Sequence, residues 1–139
     1  MSGSFKTFSK TIQVKTPSRT SSVDITKEVE KILSESGIKD GIMAVFIPHT
    51  TCGVMINENW DPTVQKDIHE TLSRIIPHRG SYSHTEGNAD AHIKTSIVGS
   101  SVSIPIENGS LPWGTWQGIF LVEFDGPRTR KVIVKIIGV

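Results

Sequence analysis

The chain has 139 residues, 36% hydrophobic and 21% charged, with a formal net charge of +1. That length suits one domain over residues 1–139, and a chain of this size buries roughly two-thirds of its unfolded surface without a disulfide or metal staple. So balanced a charge excludes a strong overall field for nucleic acid or an anionic membrane, though not a local cationic site. The lone cysteine, Cys52, allows neither an intramolecular disulfide nor a thiolate zinc cluster within one chain. No apolar run reaches the roughly 18 residues of a membrane helix. The opening MSGSFKTFSK lacks the apolar stretch of a secretory signal. The expectation is a cytoplasmic protein with no membrane and no nucleic-acid partner.

Thr7–Val14 (TFSKTIQV) sets Phe8, Ile12 and Val14 on one side and reads as a strand. DITKEVEKILSESG reads as a helix, with Ile25, Val29, Ile32 and Leu33 on one face, Asp24 at its N-cap and Gly37 as its stop. GIMAVFIPHT is an unbroken apolar run closing on His49, a buried strand. CGVMINEN (Cys52–Asn59) follows after a very short turn as another. A second helix has Asp61 as cap, Pro62 at its first position, an apolar stripe of Val64, Ile68, Leu72, Ile75 and Ile76, and Pro77 beyond its end. After the polar stretch from His78 to Asn88, ADAHIKTSIVG predicts a short helix capped by Asn88 and stopped at Gly99. SVSIPIENG, TWQGIFLVEFDG and RKVIVKIIGV read as strands. Two or three helices among six or seven strands, without βαβ alternation, predict an α+β domain with a mainly antiparallel or mixed sheet.

Three polar clusters stand out. In HTT and NENWDP, His49, Glu58 and Asp61 lie at element ends. They suit acid–base chemistry or a divalent cation; the plainer reading, which the spacing favours, has Asp61 capping its helix and Glu58 in solvent. In SHTEGNADAH, His84 and His92 are eight apart, a spacing that fits no short zinc motif. If Asn88 caps a helix, His92 lies in its first turn, where free N–H groups and nearby Lys94 favour an anion. A solvated loop fits the composition equally well. In LPWGTWQGIFLVEFDGPR, Trp113 and Trp116 either stack on a heteroaromatic ligand or fill a turn. The core is the better place for Trp116, with Trp113 and Gln117 left open. Arg128, after a DGP turn, either pairs with a carboxylate or phosphate or sits on the surface. A nucleophilic Cys52 is disfavoured, because a cysteine beside a glycine on a strand is usually just buried. Phosphate-cradling glycine loops, dinucleotide fingerprints and GxSxG elbows are absent.

Together these blocks resemble the YjbQ-like family of secondary thiamine-phosphate synthases. The resemblance is carried by Ser101, Ile104, Ile106, Gly109 and GTWQGI at Gly114–Ile119, and by HTT, NEN with DP, HTEGNADAH and FDGPR, in order along essentially the whole chain. It implies an α+β fold, a homotrimer and a polar site, sometimes with a metal, drawn from His49, Glu58, Asp61, His84, Asn88, Asp90 and His92. Cys52 stands where small residues are expected, which speaks further against a nucleophile. The implied reaction joins a hydroxymethylpyrimidine diphosphate to a thiazole phosphate and releases pyrophosphate. The partner is then a small phosphorylated heteroaromatic substrate. Mg²⁺ held by Glu58 or Asp61 would assist the leaving group, with protonated His84 or His92, Lys94 and a stacking Trp113 completing the site. Two alternatives remain. His49, His84 and His92 could converge on Zn²⁺ for hydrolysis, with Glu58 or Asp90 as general base. Or a trimer could bind a phosphorylated metabolite without turnover.

Overall fold

Each alternating or unbroken apolar stretch of the sequence forms a strand in the computed structural model, which describes residues 4–139. The order is β1 (Lys6–Lys15), β2 (Ser21–Asp24), α1 (Thr26–Ser36), β3 (Gly41–Phe46), β4 (Cys52–Glu58), α2 (Pro62–Ile75), α3 (Ala89–Val98), β5 (Ser101–Ile106), β6 (Gln117–Glu123) and β7 (Thr129–Gly138). The strands form two sheets, β1-β7-β3-β5 and β2-β6-β4, with every pairing antiparallel. The α+β expectation holds. β2 is new: four residues with one aliphatic side chain, Val23, give no period to read.

The two sheets carry different sequence patterns because they have different surroundings. β7 alternates, with Val132, Val134 and Ile136 fully buried and Lys131 and Lys135 outside. One face of its sheet meets the core and the other meets solvent. Between Gln117 and Glu123, β6 is an unbroken apolar run because the smaller sheet is covered twice. Ile119 and Leu121 enter the main core with Met43, Val45, Val54 and the α1 residues Val29, Ile32 and Leu33. Phe120 and Val122 face the other way, against Ala91 of α3 and Leu72 of α2. Each such side chain contributes about 1.5–3 kcal/mol by leaving water.

The helix ends agree with the sequence in part. Gly37 adopts φ 70° and closes α1. Asp61 accepts the Thr63 amide at 2.9 Å and Pro62 opens α2. Asp24 is a correction. The residue preceding α1 is Ile25, while Asp24 accepts the Thr26 N–H and hydroxyl in a tight turn. Asn88 holds the expected N-cap position of α3 but makes no side-chain cap hydrogen bond, because its side chain turns to Asp125. The α2 stripe is also only half covered: Ile75 is exposed, and Ile68 and Leu72 border an open apolar groove of about 490 Å³ with Ile97 and Val98. No helix among the described residues is long and apolar enough to cross a membrane.

Candidate functional site

Helical spacing decides which α3 side chains face which neighbours. Asp90 and Lys94, one turn apart, both point inward. They are 0% and 1% exposed, and Lys94 Nζ donates to Asp90 Oδ2 at 2.9 Å. Arg19, from the β1–β2 loop, donates to both Asp90 oxygens at 3.0 and 3.2 Å. Burial alone would raise the Asp90 pKa, but the Arg19 and Lys94 hydrogen bonds outweigh it and hold the carboxyl below its usual range. This corrects two sequence expectations. Asp90 is no free base and Lys94 reaches no ligand, since each neutralises the other inside the fold.

Asn88 and His92 are also one turn apart. Asn88 donates to Asp125 Oδ2 at 2.9 Å, and Arg128 bonds the same carboxylate oxygen at 3.1 Å and the Asp125 carbonyl at 2.7 Å. Arg128 keeps about half of its side chain in solvent. The His92 ring meets His84 edge-on, with centroids 5.2 Å apart. His84 comes from the loop over residues 78–88, held down where His78 Nε2 meets the Gly87 carbonyl at 2.8 Å. Under that loop lies a cavity of about 340 Å³ lined by His78, Arg79, Tyr82 and His84. His92 and His84 border a second space of about 310 Å³ beside it. The opening of α3 thus gathers three imidazoles and the Arg79 guanidinium, with Glu86 3.7 Å from His84, a lining that can take an anion.

His49 lies elsewhere. Its Nε2 accepts the Lys131 amide at 2.9 Å, so the remaining ring proton sits on Nδ1 and no lone pair is left for a metal. Burial, then Arg130, lowers its pKa and keeps it neutral. Among the described residues no three His, Cys, Asp or Glu side chains gather closely enough to hold a metal ion. The expected three-histidine centre therefore does not form within one chain; its physical cause is that the β7 backbone occupies His49. Beside His49, Thr51 takes a bond at 2.8 Å from Arg130, which also clasps Glu123 through Nε at 2.7 Å and through Nη2. Burial would raise Glu123, but Arg130, the Asp125 amide and Thr16 together hold its pKa down. Cys52, fully buried, is pushed up to about 12 by burial and then by Glu123, which leaves no thiolate for nucleophilic chemistry.

The structure reverses the expectation for Trp116 and decides the open case of Trp113. Trp113 packs against the main core, while Trp116 is 55% exposed and meets Trp60 edge-on at 6.2 Å. Gln117 Oε1 accepts the Gly114 amide at 2.8 Å and so closes the GTWQ turn. Gly118 faces Asn59 and Thr26 so closely that a side chain there would collide with both. Glu58 Oε2 accepts the Asp61 amide at 3.2 Å, so both carboxylates shape the start of α2. They lie on a separate groove of about 390 Å³ that also includes Ser22, Asp24, Trp60 and His69. Sequence reading missed Arg19, Arg130, Ser22, Trp60 and His69. Arg19 stands in a polar loop and His69 on the polar side of a helix pattern, and neither position differs from a solvated one without the fold.

A family model described as UPF0047 protein YjbQ-like matches residues 10–139. The UPF0047 protein of Methanocaldococcus jannaschii is 54% identical over 126 residues, 91% of each chain. YugU of Bacillus subtilis, also a UPF0047 protein, is 48% identical over 93% of this chain and 98% of its own length. Among solved structures, a YbjQ-like protein of unknown function from Sulfolobus solfataricus superposes with a TM-score of 0.95 at 37% identity, covering 98% of this chain and 100% of that one. A YjbQ/UPF0047 protein from Clostridium acetobutylicum superposes with a TM-score of 0.90 at 54% identity, covering 91% and 98%.

Proposed function

The chain belongs to the UPF0047, YjbQ-like, family, and on that footing we propose that it is a cytoplasmic, homotrimeric enzyme with thiamine-phosphate synthase-like activity. The pyrimidine methylene–oxygen bond breaks, pyrophosphate leaves with the electron pair, and the thiazole nitrogen lone pair closes on the methylene carbon. The protein supplies no nucleophile in this chemistry, in keeping with a buried, protonated Cys52. Its work is to hold two phosphorylated partners together, exclude water and meet the charge of the leaving group. The observation that carries this reading is the cavity at the opening of α3, lined by His78, Arg79 and His84. Arg79 and Arg128 are the groups for phosphate oxygens, and His92 and His84 for a proton or a metal. A divalent ion, Mg²⁺ or Zn²⁺, would spread the diphosphate charge. His84 and His92 fit Zn²⁺ as two adjacent nitrogen donors, whereas Mg²⁺ would be held by the diphosphate oxygens and water.

The test supplies both phosphorylated substrates with Mg²⁺ and follows the thiamine phosphate formed. Product is expected, with Arg128→Ala and His84→Ala each losing at least about tenfold of the rate at an unchanged melting temperature. Tight binding of the pyrimidine diphosphate without product under Mg²⁺, Mn²⁺ or Zn²⁺ would replace this reading with a non-catalytic metabolite binder. The His84–His92 pair also favours a second reading, a zinc-dependent hydrolase whose third ligand comes from a neighbouring copy. Stoichiometric zinc that survives dialysis, with hydrolysis of a phosphoester and no coupling, would select it.

A further inference from the structure

The groove between β2, the end of β4 and the first turns of α2 shares no lining residue with the histidine cavity. Its volume of about 390 Å³ matches a small ligand. Trp60, 77% exposed, stands on its lining, edge-on to Trp116. Two large aromatic rings left in water and in contact with each other are an unusual surface feature, and they offer faces on which a flat or cationic group can lie. Deeper in, Ser22 Oγ meets Gln65 Oε1 at 2.5 Å and His69 Nε2 at 2.8 Å. Burial, and then Lys94 behind it, lowers the His69 pKa, so the ring faces the groove uncharged.

The sign of the ligand follows from the lining. Asp24, Glu58 and Asp61 all border the groove. The hydrogen-bond donors to these three are backbone amides, threonine hydroxyls and the Asn59 side chain, none of which carries charge. The cation on the lining, Lys66, is paired with Glu70 at 3.1 Å. The groove is therefore net negative. Its carboxylates are also too widely set for a metal: among the described residues no three such groups converge on one ion. A charge spread over a larger body fits that spacing, and so does an aromatic wall.

We propose that this groove binds a small organic cation, an amine or an N-alkylated heteroaromatic ring, laid against Trp60 and Trp116 with its charged nitrogen among Asp24, Glu58 and Asp61. The site stands whether or not the phosphate chemistry at α3 is as proposed above.

The probe is benzyltrimethylammonium, titrated into the full chain while the indole N–H resonances are followed, with benzyl alcohol and benzenesulfonate as neutral and anionic controls. The cation is expected to shift the Trp60 and Trp116 signals saturably and to leave Trp113 unmoved. Trp60→Ala, and separately the pair Glu58→Gln with Asp61→Asn, should each weaken binding at least tenfold at an unchanged melting temperature; Asn keeps the α2 cap. Equal binding of either control would overturn the proposal, as would displacement of the probe by millimolar Mg²⁺. So would acrylamide quenching of Trp60 no stronger than that of Trp113, since a second copy of the chain would then cover the groove.

Discussion

Glu123 carries its charge out of reach of solvent because Arg130, Thr16 and two backbone amides all donate to it. Removing one member of such a pair leaves the other buried and uncompensated. Arg130→Met should cost about 3–5 kcal/mol in urea denaturation, and the double change Arg130→Met with Glu123→Leu should cost less than Arg130→Met alone. The depressed Glu123 pKa has a definite sign: its contribution is complete above the ordinary carboxylate value of 4.5 and is lost as pH falls through the lower folded value. Trp113 and Trp116 form a second contrast between neighbouring residues. Trp113→Ala opens a gap beside the core and should cost about 2–4 kcal/mol, while exposed Trp116→Ala should cost less than about 1 kcal/mol. Nothing local in PWGTWQ separates the two. The turn leading into β6, where the Trp116 carbonyl accepts the Asn59 amide, carries one ring against the core and the other beside Trp60.

At the scale of elements, α2 and α3 cover the second face of the smaller sheet, and each is fixed by polar contacts at its start. Asp61 caps α2, so Asp61→Ala should lower the melting temperature while Asp61→Asn leaves it unchanged. Asn88 stands at the N-cap of α3 without a side-chain cap bond. Asn88→Ala should therefore act through Asp125 and Arg128, weakening phosphate binding at the proposed site more than it lowers stability. His69 ties α2 to β2 through Ser22 and lies against Phe124. Its lowered pKa means that the unfolded chain takes up the proton first, so stability falls as pH drops below 6.5 towards the folded value. His69→Gln should flatten the melting temperature between pH 7 and 5, as read by calorimetry, with His49 supplying the slope that remains.

For the whole molecule, the uncovered apolar groove of Met55, Ile68, Leu72, Ile97 and Val98 is the surface on which the proposed trimer would close. Light scattering is then expected to return three times the 15.2 kDa chain mass. Ile68→Lys should reduce it to the single-chain value with the fold retained. A monomer mass for the parent at micromolar concentration would remove the trimer from the proposal.

The sequence by itself determined the α+β class, nearly every strand and helix, and the blocks from which a site could be drawn, because period and turn chemistry are local properties. It also placed the polar stretch of histidines and an asparagine at the start of α3. Only the tertiary structure decided which polar residues are spent on one another. Asp90 and Lys94 looked available until Arg19 arrived from the far end of the chain, and His49 looked like a ligand until the β7 amide took its lone pair. Whether a charged side chain faces a ligand or a partner depends on contacts between residues distant in sequence, and those are set by sheet pairing and helix docking rather than by neighbours along the chain.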